Sequence, residues 1–259
     1  MMTALCAGTA SDVHLPTAGA DNSSLPGMGG VFNTTNCHLY HYAGNNSVRY
    51  VDPEGRELVI NGTWEYKKSV ERYLQLIAPG AHVNMWTGKV SLDKNASLGG
   101  HIKGTALVNS LVEDKHKITV TKNDYERPTS TPKNERDTYV SGKGSDSTIH
   151  FNPNDKVKAI VVIRDRGKAK AREYIQNPGI VLGHELIHSL HFALGIRASG
   201  SVESYTDLMG RSVGGSTRLE ELKTIGIPGY FDEDTDITEN MLREELFMYL
   251  RNEHGTFPE

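Results

Sequence analysis

The sequence predicts an α+β fold in which a small mixed sheet packs on one buried helix. Three observations carry this. A helical pattern runs from Trp64 to Ile77, with Val70, Tyr73, Leu74 and Ile77 at helical spacing. Short β-branched stretches follow, the clearest being Val157-Lys158-Ala159-Ile160-Val161-Val162-Ile163. An apolar segment bounded by Asn177-Pro178 and Gly195 then reads as one well-delimited helix, with Asn as cap, Pro in the first turn and Gly as the stop.

Taken in chain order, the first helix is followed by a second over Thr105 to Val112 and by strands over Ile118 to Thr121 and Thr148 to Phe151. The interval Asn123 to Gly144 is rich in Lys, Asp, Arg, Pro, Thr and Ser, and reads as a long exposed loop. The strands form the sheet over the helix that begins at Pro178. Further on, Ser216 to Gly226 reads as a short helix capped by Ser216 or Thr217, and Thr238 to Met248 as a helix whose charged face is solvated.

The central helix carries Gly183-His184-Glu185-Leu186-Ile187-His188-Ser189-Leu190-His191. With about 3.6 residues per turn, His184 and His188 project from one face a single turn apart and can share a metal ion. This is the His-Glu-x-x-His arrangement of a zinc hydrolase. Imidazole nitrogens suit Zn²⁺, which in catalytic sites takes one more protein ligand and keeps a position open for water. Glu185 is placed to take that water's proton as general base and to return it to a leaving amine as general acid. The flanking Ile180, Val181, Ile187, Leu190 and Leu194 bury the helix, and three histidines with a glutamate would be costly there without a metal or other partners. The plain alternative is a core helix with satisfied histidines. Spacing does not choose the third ligand among Glu203, Asp207, Glu220, Glu221, Glu239, Glu244 and Glu245.

His-Glu-Leu-Ile-His-x-x-His followed by Glu-Glu-Leu-x-Thr-x-Gly resembles the light-chain proteases of clostridial neurotoxins, a zincin-like fold. That resemblance implies Glu221 as the third ligand and Glu220 as a residue supporting the ligands. The run Leu219 to Gly226, then Thr238 to Glu245 and Arg251, is similar in order to the NleD-type effector zinc proteases, which are injected bacterial toxins that cut host proteins. As the alternative to a solvated face, the resemblance lets one acid of the Thr238 to Met248 helix orient a ligand histidine and the segment lead Arg251 toward the metal. In both families an arginine followed three positions later by tyrosine steadies the oxyanion. Here the pair is Arg251 and His254, an imidazole standing where the phenol is expected and able to donate a hydrogen bond in its place. His191, a turn beyond His188, fits a supporting role better than direct ligation.

Near the N-terminus, Tyr40-His41-Tyr42 followed by Gly44-Asn45-Asn46 and closed by Val51-Asp52-Pro53-Glu54-Gly55 resembles the end of the core in Rhs and YD-repeat proteins, with Ser47 where a proline is usual. The resemblance spans about residues 24–56 and implies the tail of a polymorphic toxin. The expected organisation is therefore an unstructured segment 1–23, a toxin-core remnant 24–56 and a zinc metalloprotease domain 57–259. Residues 1–23 lack the basic start and apolar core of a signal peptide, and no run of about 18 apolar residues predicts a membrane span. Release as part of a delivered toxin, with a cognate immunity protein, is the expectation that follows from the resemblance.

The 259 residues allow one domain of ordinary size, expected as a monomer. A net charge of −4 without a basic stripe argues against nucleic acid and for a protein substrate. Cys6 and Cys37 both precede the protease segment, so neither a disulfide framework nor a cysteine metal site supports it. The expected activity is that of a zinc endopeptidase. Two other readings compete: a zinc-binding toxin tail that grips a partner without cutting, and a zinc amidase acting on non-protein amides.

Overall fold

The computed structural model describes residues 57–93, 99–123 and 127–254, all within a compact unit spanning Glu54–Glu259. The segments 1–23 and 24–56 lie outside the described residues. Among the described residues the chain runs β1 (Glu57–Asn61), α1 (Trp64–Ile77), β2 (Ala81–Val83), β3 (Val90–Leu92), α2 (Ile102–Glu113), β4 (Lys117–Lys122), β5 (Thr129–Pro132), β6 (Ser147–Phe151), β7 (Lys158–Asp165) and β8 (Lys168–Ile175). Then come α3 (Pro178–Leu194), β9 (Ser201–Thr206), β10 (Ser212–Arg218), α4 (Leu219–Ile225), α5 (Glu239–Glu245) and β11 (Arg251–Glu253). This is a mixed α+β architecture with small sheets, as expected.

The main sheet has the order β1-β4-β6-β5, with β1, β4 and β6 parallel and β5 antiparallel at the edge. Alternation decides its faces: Leu58, Ile60, Ile118, Val120, Ile149 and Phe151 are buried, while their neighbours in sequence are less so. These side chains share one core with Val70, Leu74 and Ile77 of α1, Leu107, Val108 and Leu111 of α2, and Ile180, Leu182, Leu186 and Ile187 of α3. Burial of that apolar surface, at roughly 25 cal/mol per Å², is the main force holding the layers together.

Helix α3 is buried on nearly all sides; only Pro178, His184 and Leu194 escape full burial. Its start is set by Asn177, whose side-chain oxygen accepts from the Gly179 N–H at 2.8 Å, and its end by Gly195 in the left-handed region at φ 70°. Gly183 permits close approach of α5, since a Cβ there would lie 2.8 Å from Leu242 Cδ1. Helix α2 has no side-chain cap of its own at His101. Glu245 of α5 supplies one, accepting from the N–H groups of Lys103 at 2.6 Å and Gly104 at 3.1 Å.

Several expectations are corrected. The interval read as a loop holds the edge strand β5 and a 3-10 turn at Arg136–Tyr139. Strand β5 ends in Pro132 and is only half-buried at alternate positions, so it shows no apolar alternation, and proline is tolerated at a sheet edge. Strand β7 lies where the β-branched run predicts, but it belongs to a separate antiparallel sheet of order β11-β7-β8. Its partner β8 is largely exposed and carries no apolar signal. Strand β10 continues through Arg218, so α4 begins at Leu219 without the side-chain cap expected from Ser216 or Thr217.

Candidate metal centre

The spacing within α3 does what helix geometry requires. The His184 and His188 rings meet edge to face with centroids 4.7 Å apart, and their Nε2 atoms are 3.1 Å from each other. Glu221, on the first turn of α4, brings Oε2 to 3.3 Å from His184 Nε2 and 3.5 Å from His188 Nε2. The ligand atoms of these three residues all lie within 4.8 Å of one another.

The outer nitrogens of both rings are committed. His184 Nδ1 lies 2.8 Å from Glu239 Oε2, and His188 Nδ1 lies 3.1 Å from Glu220 Oε1. An ionised carboxylate only accepts, so each Nδ1 carries the hydrogen, and in the neutral ring Nε2 is then a bare lone pair. Two such lone pairs and a carboxylate oxygen converge on one point. That arrangement is repulsive until a cation shares it, and two imidazole nitrogens with a carboxylate oxygen are a donor set that suits Zn²⁺. In the metal-free chain, burial opposes charge on both rings, yet the facing carboxylates outweigh it: Glu221 and Glu239 raise the pKa of His184, and Glu221 and Glu220 raise that of His188 well above the usual value.

The supporting acids come from two different helices. Glu220, buried on α4, accepts from His191 Nδ1 at 2.7 Å as well as from His188, while its second oxygen accepts from the Ala198 N–H at 2.8 Å. Burial pushes its pKa up, but the two imidazole hydrogen bonds prevail and bring it down to about 2. Glu239, fully buried on α5, accepts from Arg243 Nε at 2.7 Å and Arg251 Nη1 at 2.8 Å in addition to His184. Its carboxyl is held far below the ordinary range, the two guanidiniums overcoming the penalty of burial. Rings gripped in this way have a defined tautomer and orientation.

A cleft of about 630 Å³ opens on the cluster, lined by His184, Glu185, His188, Glu220, Glu221, Arg251 and His254, with Thr129 and Ser130 of β5 also on its wall. Glu185 Oε2 lies 2.8 Å from Ser130 Oγ, which is equally close to the Glu185 backbone oxygen, so one hydroxyl proton serves both. Arg251 is buried on β11, its backbone paired in both directions with the Asn240 amide at 2.7 and 3.0 Å. His254 donates its backbone N–H to Tyr205 Oη at 2.9 Å and points Nε2 to within 3.6 Å of Glu221 Oε2. Burial lowers its pKa to about 4, with Arg251 and the two ring neighbours adding to the effect against Glu221, so the ring is neutral at pH 7.

The structure thus brings together His184, Glu185, His188, Glu221, Arg251 and His254. The remaining acidic candidates are elsewhere occupied or outward: Glu203 and Glu244 are exposed, Glu245 caps α2, and Asp207 accepts from Arg211 and Asn252 in the turn after β9. Sequence reasoning missed Ser130, whose segment carries no periodic signal. The charge-rich face of Thr238 to Met248 is solvated only in part: Glu239 and Arg243 are buried and paired, and Glu239 is the acid of that segment that meets a histidine, His184.

The family model Peptidase_M91, described as an effector protein, matches residues 54–254. No curated protein sequence matches the chain. Among solved structures, the botulinum neurotoxin type D light chain is 16% identical at a TM-score of 0.39, over 77% of this chain and 53% of that one. The Clostridium botulinum neurotoxin serotype F light chain is 16% identical at 0.39, over 70% and 47%. The type C light chain in its apo form, with zinc removed, is 18% identical at 0.33, over 50% and 32%. The chain therefore matches about a third to a half of the length of these light chains.

Proposed function

This chain belongs to the Peptidase_M91 family of effector proteins, and on that premise we propose that it is a zinc-dependent endopeptidase that cuts a protein of the cell it enters. The observation that carries the reading is the convergence of the His184 and His188 Nε2 lone pairs with the Glu221 carboxylate, beside Glu185 and within a cleft. In this reading His184, His188 and Glu221 hold the ion. Zinc so held supplies Lewis acidity for the scissile carbonyl and lowers the pKa of water from about 15.7 to near 7.

The chain's own residues supply the rest. Glu185 removes the proton of the attacking water and delivers it to the departing amine, and the Ser130 hydroxyl orients its carboxylate. Arg251 and the neutral His254 line the same cleft, and their N–H groups are the donors available to the negative charge that develops on the carbonyl oxygen. Glu220 and Glu239 keep the ligand rings aimed inward. Strand β5 is the outer strand of its sheet and lines the cleft with Thr129 and Ser130, so an extended peptide can pair with its free edge and lie across the catalytic groups. No helix among the described residues is long and apolar enough to cross a membrane.

The test is a comparison of protein termini in eukaryotic and bacterial lysates treated with the zinc-loaded protein or with Glu185→Gln, which keeps the ligands and loses the base. New termini found only with the unsubstituted chain support the endopeptidase and identify its substrates. Identical profiles from a chain carrying one zinc would sink it and favour a zinc-binding protein that grips a partner without cutting.

A further inference from the structure

We propose that the cleft selects peptide segments bearing acidic side chains next to the scissile bond, and that Lys156 and Arg218 are the specificity-determining cations. This rests on the peptidase reading of the site. The chain as a whole is acidic, with 28 Lys and Arg against 32 Asp and Glu. The cleft wall departs from that average: Arg127, Lys156, Lys158, Arg197 and Arg218 all line it.

The carboxylates within the cleft do not neutralise this border, because most are already engaged. Glu220 is held by His188 and His191, Glu221 faces His184 and His188, and Glu185 accepts from Ser130. Asp155 accepts from Asn152 at 2.8 Å through one oxygen, its other oxygen is buried, and burial raises its pKa, which disfavours its negative charge. Among the cations, Lys158 pairs with Glu173 and Arg197 with Glu135, the latter guanidinium also lying 5.1 Å from the Phe192 ring centroid. Lys156 and Arg218 are exposed and have no ion-pair partner among the described residues. They come from separate elements, Lys156 from the link between β6 and β7 and Arg218 from the junction of β10 with α4.

Arg218 also stands where a short polar side chain would serve the helix better. It occupies the N-cap position of α4 and makes no capping hydrogen bond, and a cation at that end of a helix opposes the helix dipole. A locally unfavourable residue that instead lines the cleft is spent on something other than stability. Two exposed, unpaired cations at the border of the cleft attract a negatively charged segment and repel a basic one. The cleft includes Phe192 as its aromatic residue, which offers no row of rings for stacking bases, so the geometry favours a peptide over a nucleic acid.

The experiment titrates the full chain into a fluorescein-labelled peptide with alternating glutamates and into its glutamine counterpart, with a Lys156→Gln/Arg218→Gln double variant run beside it. The glutamate peptide is expected to bind roughly tenfold more tightly at low ionic strength, with the ratio falling toward one as salt is raised. In the double variant the ratio is expected near one while the zinc content stays unchanged and the thermal melt does not fall, since Arg218 opposes the dipole of α4. Equal affinity for the two peptides, a preference retained in the double variant, or displacement of the peptide by an oligothymidylate of equal charge with the same potency each overturns the proposal. Cleavage rates on the same peptides separate the two readings. Hydrolysis of both peptides at one rate defeats the charge selection and leaves the peptidase standing, whereas selective binding without hydrolysis does the reverse.

Discussion

Helices α4 and α5 are alike in outline and different in what they ask of the protein. Each is seven residues long, each starts beside α3, and each hands a buried first-turn glutamate to an imidazole Nδ1 of that helix. Glu220 of α4 is balanced by two imidazoles and a backbone N–H, none of which carries a permanent charge. Glu239 of α5 is balanced by two guanidiniums, which stay charged at any pH the fold tolerates. The comparison teaches that two carboxylates in similar supporting roles can belong to different structures. One belongs to the candidate metal site, and the other to a permanent buried ion network that also anchors Arg251.

The hardest test of that difference is Glu239→Gln. It leaves Arg243 and Arg251 buried without their carboxylate, and a loss of about 3–5 kcal/mol in urea unfolding is expected. Glu220→Gln strikes groups that can shed their charge, so a smaller loss of about 1–3 kcal/mol is expected in the metal-free chain. A Glu220→Gln loss as large as that of Glu239→Gln would erase the distinction. The same variant should weaken zinc binding by about 10–100-fold in competition with a chromophoric chelator, since it loosens His188 and His191 together.

Acid sharpens the contrast. Glu220 has its folded pKa depressed to about 2 from an ordinary 4.5, so its contribution is full above 4.5 and is lost as pH falls through about 2. The raised pKa of His188 acts in the opposite sense: its stabilisation is present below 6.5 and fades as pH rises through the higher folded value. Melting temperatures of the metal-free chain should therefore peak between these limits, and the gap between the native chain and Glu220→Gln should narrow as pH drops from 4.5 toward 2. A gap that holds constant over that range would contradict the assignment. The smallest effect expected is on the Glu185 carboxylate, the proposed base. Ser130→Ala should lower kcat by about 3–10-fold with little change in KM, the worth of one orienting hydrogen bond, and an unaltered kcat would confine Ser130 to its bond with the backbone of α3.

The fold was most legible where a local pattern decides the structure. Helix α1 has the bounds read from its apolar spacing, and α3 has the cap and stop read from Asn177 and Gly195. Both signals are contained within a turn or two of chain. Strands β5 and β8 were not legible, because an edge strand and a largely exposed one bury too little to leave an alternating pattern. The assignment of β7 to a second sheet with β11 was hidden for another reason: the two strands lie far apart in sequence, and pairing between them leaves no local trace.

In the site, the pairing of His184 with His188 was written in the sequence, since an interval of four residues on a helix permits little else. The choice of Glu221 over neighbouring acids came from a family resemblance and not from spacing. Charge pattern misled at α5, where Glu239 and Arg243 are buried while Glu244 remains exposed. A run of charges says nothing of which members will find partners inside.

By itself, then, the sequence determined the helix that carries the two imidazoles and the glutamate between them, because intrahelical geometry is set by local bonds and caps. Tertiary structure alone decided which carboxylates meet those rings. Glu221 and Glu220 arrive on α4, Glu239 on α5, and Ser130 on β5, from segments separated from α3 by tens of residues. Their positions follow from how the helices pack and which charges pair inside, a balance of burial and hydrogen bonding that no short stretch of chain contains.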